Sequence, residues 1–175
     1  YFLQLPAEFL DFLQNEYEPG ADDFPFLVEL AHYEYIELAL SVSEESNDLE
    51  GVDPDGDLLA GVPVKSALAW VYAYQYPVHR ISAEFLPDAP AEQPVYLAVY
   101  RDAQDKVGFL ELNAVTAGLL NAIQENDADL TGEALLRKLA ADINYPDIDA
   151  FLAHGLAAMQ EMLSLDILTG TRFAG

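Results

Sequence analysis

Asp53, Asp55 and Asp57 alternate along one polar stretch, which is the spacing of the first oxygen ligands in an EF-hand calcium loop. Beyond them the pattern breaks. Gly56 comes two places early, Leu58 stands where that loop needs its glycine, and the twelfth position is Val64 instead of a bidentate Glu. An acidic turn is therefore the expected structure. The three histidines, His32, His79 and His154, form neither a His-x-x-x-His pair nor a His-Glu-x-x-His motif, so no metal site is expected. His154 shares a helical face with Ala150, Ala157 and Glu161 and should point to solvent. His32, in an apolar helical stretch near Glu29, reads as a hydrogen-bonded structural histidine. His79 and Arg80 are expected to pair with a carboxylate and so hold a sheet edge. With no Cys, no Gly-x-Ser-x-Gly, no phosphate-binding glycine loop and no dinucleotide fingerprint, neither catalytic residues nor a cofactor is expected. A carboxylate pair could do acid–base work, but 31 acids nominate no particular pair.

Those acids dominate the composition. Against 7 bases they give a net charge of −24, and no Lys or Arg precedes Lys65. Such a surface repels phosphates, so nucleic acid and anionic membrane are poor partners for this piece, and a basic partner fits better. Solubility alone would explain the acidity equally well. At 175 residues, with 52% of them apolar, the chain can bury a real core. Its apolar runs are too short for a membrane helix, and the start lacks a basic-then-apolar leader. Together with the absence of Cys this leads us to expect a cytoplasmic address. The chain begins without Met, as a piece of a longer protein would.

The elements that must position these residues follow from periodicity. Residues 6–16 read as a short helix stopped by Pro19-Gly20, and residues 25–41 as a second, apolar helix that must be buried. Residues 43–61 are turn-rich, and the expected division is 1–43 as the last helices of a helical domain, 44–66 as an acidic linker, and 67–175 as a second domain. From Ala67 the period becomes two, with Trp70, Tyr72, Tyr74 and Tyr76 on one face. That ladder lacks the interleaved bases of a nucleobase-stacking platform, so packing against the helix at 25–41 is expected. The segment 78–81 could resume the strand, and 95–101 and 107–112 form a hairpin around 102–106. Asn113 caps a helix with Val115, Leu119, Ala122 and Ile123 inside. Thr131 caps a second helix, Pro146-Asp147 opens a third, and residues 165–170 close the chain. The fold class is α+β: a helical N-terminal segment, then a small antiparallel sheet with three helices, winged-helix-like in outline.

His32-Tyr33-Glu34-Tyr35, Tyr76-Pro77-Val78-His79-Arg80-Ile81, the 95–101 strand and Phe109-Leu110-Glu111-Leu112-Asn113 together resemble the HvfC-type family across nearly the whole chain. This family was first described as DNA-binding proteins and later as maturation partners for ribosomally made, modified peptides. The resemblance implies a missing N-terminal helical domain, of which 1–43 would be the end. It also implies a non-catalytic accessory role beside a multinuclear iron oxidase that modifies a precursor peptide. His32, Tyr33, Glu34, Tyr35, His79 and Arg80, which carry the resemblance, are the expected partner interface. The order of three strands and three helices is also similar to the PqqD-like element that takes a leader peptide as an added strand. Mapped here, the edge would be Val107, Phe109 and Glu111, facing Phe151, Gly155 and Met159. The alternative is a transcription regulator with its DNA contacts before Tyr1. Residues 143–168, which contain no Lys or Arg, could not serve as its reading helix.

Overall fold

The computed structural model describes residues 4–18, 20 and 22–173. The elements run α1 (Gln4–Asn15), α2 (Leu27–Ser41), β1 (Val62–Lys65), β2 (Ala69–Tyr74), a 3-10 turn (Val78–Arg80), β3 (Val95–Arg101) and β4 (Val107–Leu112). They continue with α3 (Ala114–Gln124), α4 (Gly132–Asp142), α5 (Ile148–Ser164) and β5 (Leu168–Arg172). The class is α+β, as expected. Among the described residues no helix is long and apolar enough to cross a membrane. The expected stop at Pro19 falls outside the described residues, as do residues 1–3 of the first segment.

Local chemistry sets the helix starts. Asn113 Oδ1 accepts from Thr116 N at 2.8 Å and Thr131 Oγ1 from Ala134 N at 3.3 Å, so both expected N-caps are present, and Asp147, expected to open the third helix, caps it through Oδ1 from Ala150 N at 3.0 Å. The hairpin turn is built by Asp102, whose carboxylate accepts from Gln104 N at 2.8 Å and Lys106 N at 2.9 Å, while Asp105 takes a positive φ of 59°.

Strands β2, β3 and β4 form one antiparallel sheet in that order, with Trp70 opposite Val99 and Val99 opposite Phe109. Both faces are covered. Leu97 and Val99 of β3 pack under α2 with Ile36, Leu40 and Tyr74, and the aromatic ladder joins this cluster as expected. Ala98, on the other face, belongs to the larger core of α3, α4 and α5 with Leu120, Leu136, Met159 and Met162. Leu97, Ala98 and Val99 are all fully buried. Full burial of a side chain the size of Leu or Val is worth ~1.5–3 kcal/mol, so β3 anchors two cores at once.

The expected domain boundaries need correction, because residues 44–66 do not act as a free linker. Val62–Lys65 is a strand paired antiparallel with β5, which takes up the end of the expected closing tail. Asp53 and Thr171 exchange backbone hydrogen bonds at 2.8 and 2.9 Å. Leu58 is buried in the larger core, and the start of α4 donates to this stretch, from Gly132 N to Gly61 O at 2.9 Å and from Glu133 N to Leu59 O at 3.0 Å. A Cβ on Gly132 would overlap the Leu58 carbonyl, so the close approach depends on glycine there. Helix α2 likewise covers the sheet and is continuous with its hydrophobic cluster. Polar composition marked 43–61 as turns correctly, but turns that hydrogen-bond into the body are not a boundary.

Arg101 locks α2 in place. Its Nη1 donates to the carbonyls of Leu40, Ser41 and Ser43 at 3.0, 3.3 and 2.9 Å, and its side chain is only 11% exposed. The last turn of α2 has no basic residue of its own, so the sheet supplies the cation that its C-terminal carbonyls need. Arg101→Met is expected to cost about 2–3 kcal/mol by urea denaturation, the range for charged hydrogen bonds left unpaired on burial. Faster amide exchange in α2 should accompany it. A loss below about 0.5 kcal/mol would show that apolar contact alone holds the helix.

Candidate functional site

Among the described residues β4 pairs with β3 alone, so its other side is an open sheet edge. The ladder tells which backbone groups face that edge. Asp102 N donates to Lys106 O at 2.9 Å, which makes that opposed pair a hydrogen-bonded one. By antiparallel alternation Gly108, Leu110 and Leu112 then bond to β3, while Val107, Phe109 and Glu111 turn their N–H and C=O groups outward. The three edge residues expected from the sequence are therefore the ones whose backbone is available to an added strand.

Their side chains do not meet the expected helix. Val107 and Phe109 pack in the cluster under α2, where the Phe109 ring lies 4.5 Å from that of Tyr33. Phe151 and Met159 belong to the core on the opposite face of the sheet. The expected facing of Val107, Phe109 and Glu111 with Phe151, Gly155 and Met159 is thus incorrect, because side chains two apart share one face and α5 lies on the other. Met159 is fully buried and has no surface to offer a ligand. Gly155 is pressed against Leu136, so α4 and α5 run close together. Phe151 and Gly155 do line a groove of about 640 Å³ between the first turn of α3 and α5. Val115, expected inside, is 40% exposed on this groove, and Tyr145 is also 40% exposed there. Sequence reasoning missed the groove. Its only signal is a large apolar residue, Val115, two places after the helix cap Asn113.

The expected partner residues mostly hold α2 to the sheet. His32 Nδ1 shares a hydrogen bond with Tyr74 Oη at 3.0 Å and its ring meets Tyr72 edge-on at 4.9 Å, the hydrogen-bonded structural arrangement expected of it. Glu29 instead accepts from the backbone N–H groups of Gln75 and Tyr76, both at 2.9 Å. Tyr33 and Tyr35 join the same cluster, which leaves Glu34 exposed. The segment 78–81 forms a 3-10 turn instead of resuming the strand. From it His79 Nε2 and Arg80 Nη2 reach Glu111 Oε2 at 2.9 and 2.7 Å, the expected pairing at a sheet edge. The Arg80 guanidinium, with help from His79, holds the Glu111 carboxyl below its ordinary range. Arg80 keeps its side chain 60% exposed.

The acidic turn is also in place. Asp53 Oδ1 accepts from Asp55 N at 3.0 Å, and Asp57 Oδ1 from Leu59 N and Ala60 N at 2.8 and 2.9 Å. Those backbone donors hold the Asp57 carboxyl below the usual range. Among the described residues no three His, Asp or Glu side chains are grouped to hold a metal ion. His154 is exposed, as expected, on the groove wall.

Burial holds the His32 pKa below its ordinary 6.5, with Glu29 opposing the shift in part. The unfolded chain therefore binds a proton before the folded one does, and stability falls as pH drops from 6.5 toward the lower folded value. His32→Gln should flatten this portion of the curve, measured as unfolding free energy between about pH 7 and about pH 5. Parallel curves for the two proteins would remove His32 from the acid response.

Comparison with curated proteins finds no match. The family model described as the HvfC C-terminal domain matches residues 66–163, more than half of the chain. That span contains the three-stranded sheet, α3, α4 and nearly all of α5, and so includes both the open β4 edge and the groove. The chain belongs to the HvfC C-terminal domain family.

Proposed function

We propose that this chain is a non-catalytic, cytoplasmic accessory protein that binds a precursor (leader) peptide and presents it to a multinuclear iron oxidase. Family membership supports an accessory role exercised through a protein partner. The observation that carries the peptide reading is the open edge of β4, where Val107, Phe109 and Glu111 direct their backbone groups outward. An extended peptide gains affinity from such an edge by main-chain pairing, as leader peptides do on PqqD-like elements. Surface charge agrees, since −24 favours a basic or neutral partner over nucleic acid. Glu34 and Arg80 are the exposed members of the partner segments and the candidates for enzyme docking. The DNA-binding alternative gains nothing from α5, which carries no Lys or Arg.

Isothermal titration of the protein with synthetic leader peptides encoded beside its gene tests the reading. Phe109→Pro removes one outward N–H while sparing the β3 ladder, and Phe109→Leu serves as the control that loses the ring but keeps the donor. Saturable binding should weaken at least about tenfold in the Pro variant relative to the Leu variant. Equal binding by the two would exclude strand addition at this edge. No leader binding, together with salt-sensitive and sequence-selective DNA binding, would restore the regulator.

A further inference from the structure

The groove between α3 and α5 lies on the face of the sheet away from α2, and strand addition at β4 does not explain it. Its volume of about 640 Å³ falls within the range of binding clefts. Short side chains make the space: Ala114 on α3, with Ala157 and Ala158 on α5. Large apolar groups form its walls. Val115 and Tyr145 remain 40% exposed, and the Tyr145 ring packs 5.0 Å from that of Phe151. Large side chains half exposed beside an open cleft are what a docked apolar group would cover.

Charge selects the occupant. No Lys or Arg lines the groove, and Glu161 is its one carboxylate. The segments that build it are equally free of Lys and Arg, since neither 107–136 nor 139–171 contains either, and His154 is the one imidazole on the wall. Of the two cations on α4, Arg137 is bound to Glu133 at 2.8 Å and Lys138 lines a separate cleft. An anionic ligand would meet a −24 protein with no local counter-charge, whereas a cationic one is attracted at long range and met by Glu161 at contact.

We propose that this groove anchors a cationic, apolar segment of a partner polypeptide, one bulky apolar side chain entering the cleft and a Lys or Arg lying beside Glu161. This deepens the peptide-binding reading and rests on it: backbone pairing at β4 would supply affinity without regard to side chains, and the groove would supply selectivity.

The probe is a short fluorescein-labelled peptide with a Phe-Leu pair flanked by lysines, titrated into the protein by anisotropy. Two companions replace the lysines with glutamates or the Phe-Leu pair with serines. The lysine peptide should bind saturably and both companions at least about tenfold more weakly. Ala157 is exposed, so Ala157→Trp fills the groove from its rim without entering the core, and it should abolish binding at an unchanged melting temperature. Glu161→Lys should weaken binding about fivefold and flatten its dependence on salt. Equal binding of the glutamate peptide, or unchanged binding by Ala157→Trp, would overturn the proposal. A leader peptide that binds the parent and Ala157→Trp alike would leave peptide recognition standing and remove the groove from it. Groove-dependent binding of the lysine peptide with no leader binding would support the groove and remove the leader.

Discussion

The fold hangs on β3. Its three central residues are fully buried, Leu97 and Val99 toward α2 and Ala98 toward the three C-terminal helices, so one strand belongs to two cores. A strand covered on both faces has no polar face to show, and both neighbouring strands are needed to satisfy its backbone. β2 and β4 therefore become edges by necessity, and α2 must lie across the sheet or expose the aromatic ladder. Arg101, at the end of β3, then supplies the positive charge that the last carbonyls of α2 lack.

This sandwich explains why the surface of the molecule divides its tasks. On the α2 face, rings fill the space between helix and sheet, and a charged cluster, His79 and Arg80 on Glu111, sits at the sheet edge. On the other face, Gly155 draws α5 onto α4, while alanines on α3 and α5 leave a cleft between them. Between the faces runs the outer edge of β4. Backbone groups at that edge are indifferent to side-chain identity, whereas the cleft is walled by side chains and holds a single carboxylate, so the two features differ in the chemistry they present.

Acidity works through this arrangement without determining it. Carboxylates that look like ligands in the sequence, Asp53 and Asp57, accept backbone N–H groups within the turn that leads into β1. Others, such as Glu29 and Asp102, cap strand ends and turns. The remaining surplus sits in solvent, where it biases which partners approach and leaves the fold itself to apolar burial.

By itself, the sequence determined what depends on neighbours a few residues apart. The caps Asn113, Thr131 and Asp147, the turn at Asp102, the period-two ladder from Trp70 and the pairing of His79 and Arg80 with a carboxylate were all legible, because each follows from local hydrogen bonding or from one element's periodicity. Alternation along β4 gives two possible sets of outward backbone groups, and only the hydrogen-bonded pairing of Asp102 with Lys106 in the hairpin selects the set at Val107, Phe109 and Glu111. Tertiary structure decided the rest. The pairing of β1 with β5 joins residues more than a hundred positions apart, and four- and five-residue strands carry too little periodic signal to announce themselves. The groove comes from the spacing of two helices, set by Gly155 against Leu136 and by the alanines between α3 and α5. The side of the sheet on which α5 lies placed Phe151 and Met159 away from Phe109, and no local pattern encodes that choice, because it belongs to how the two cores share β3.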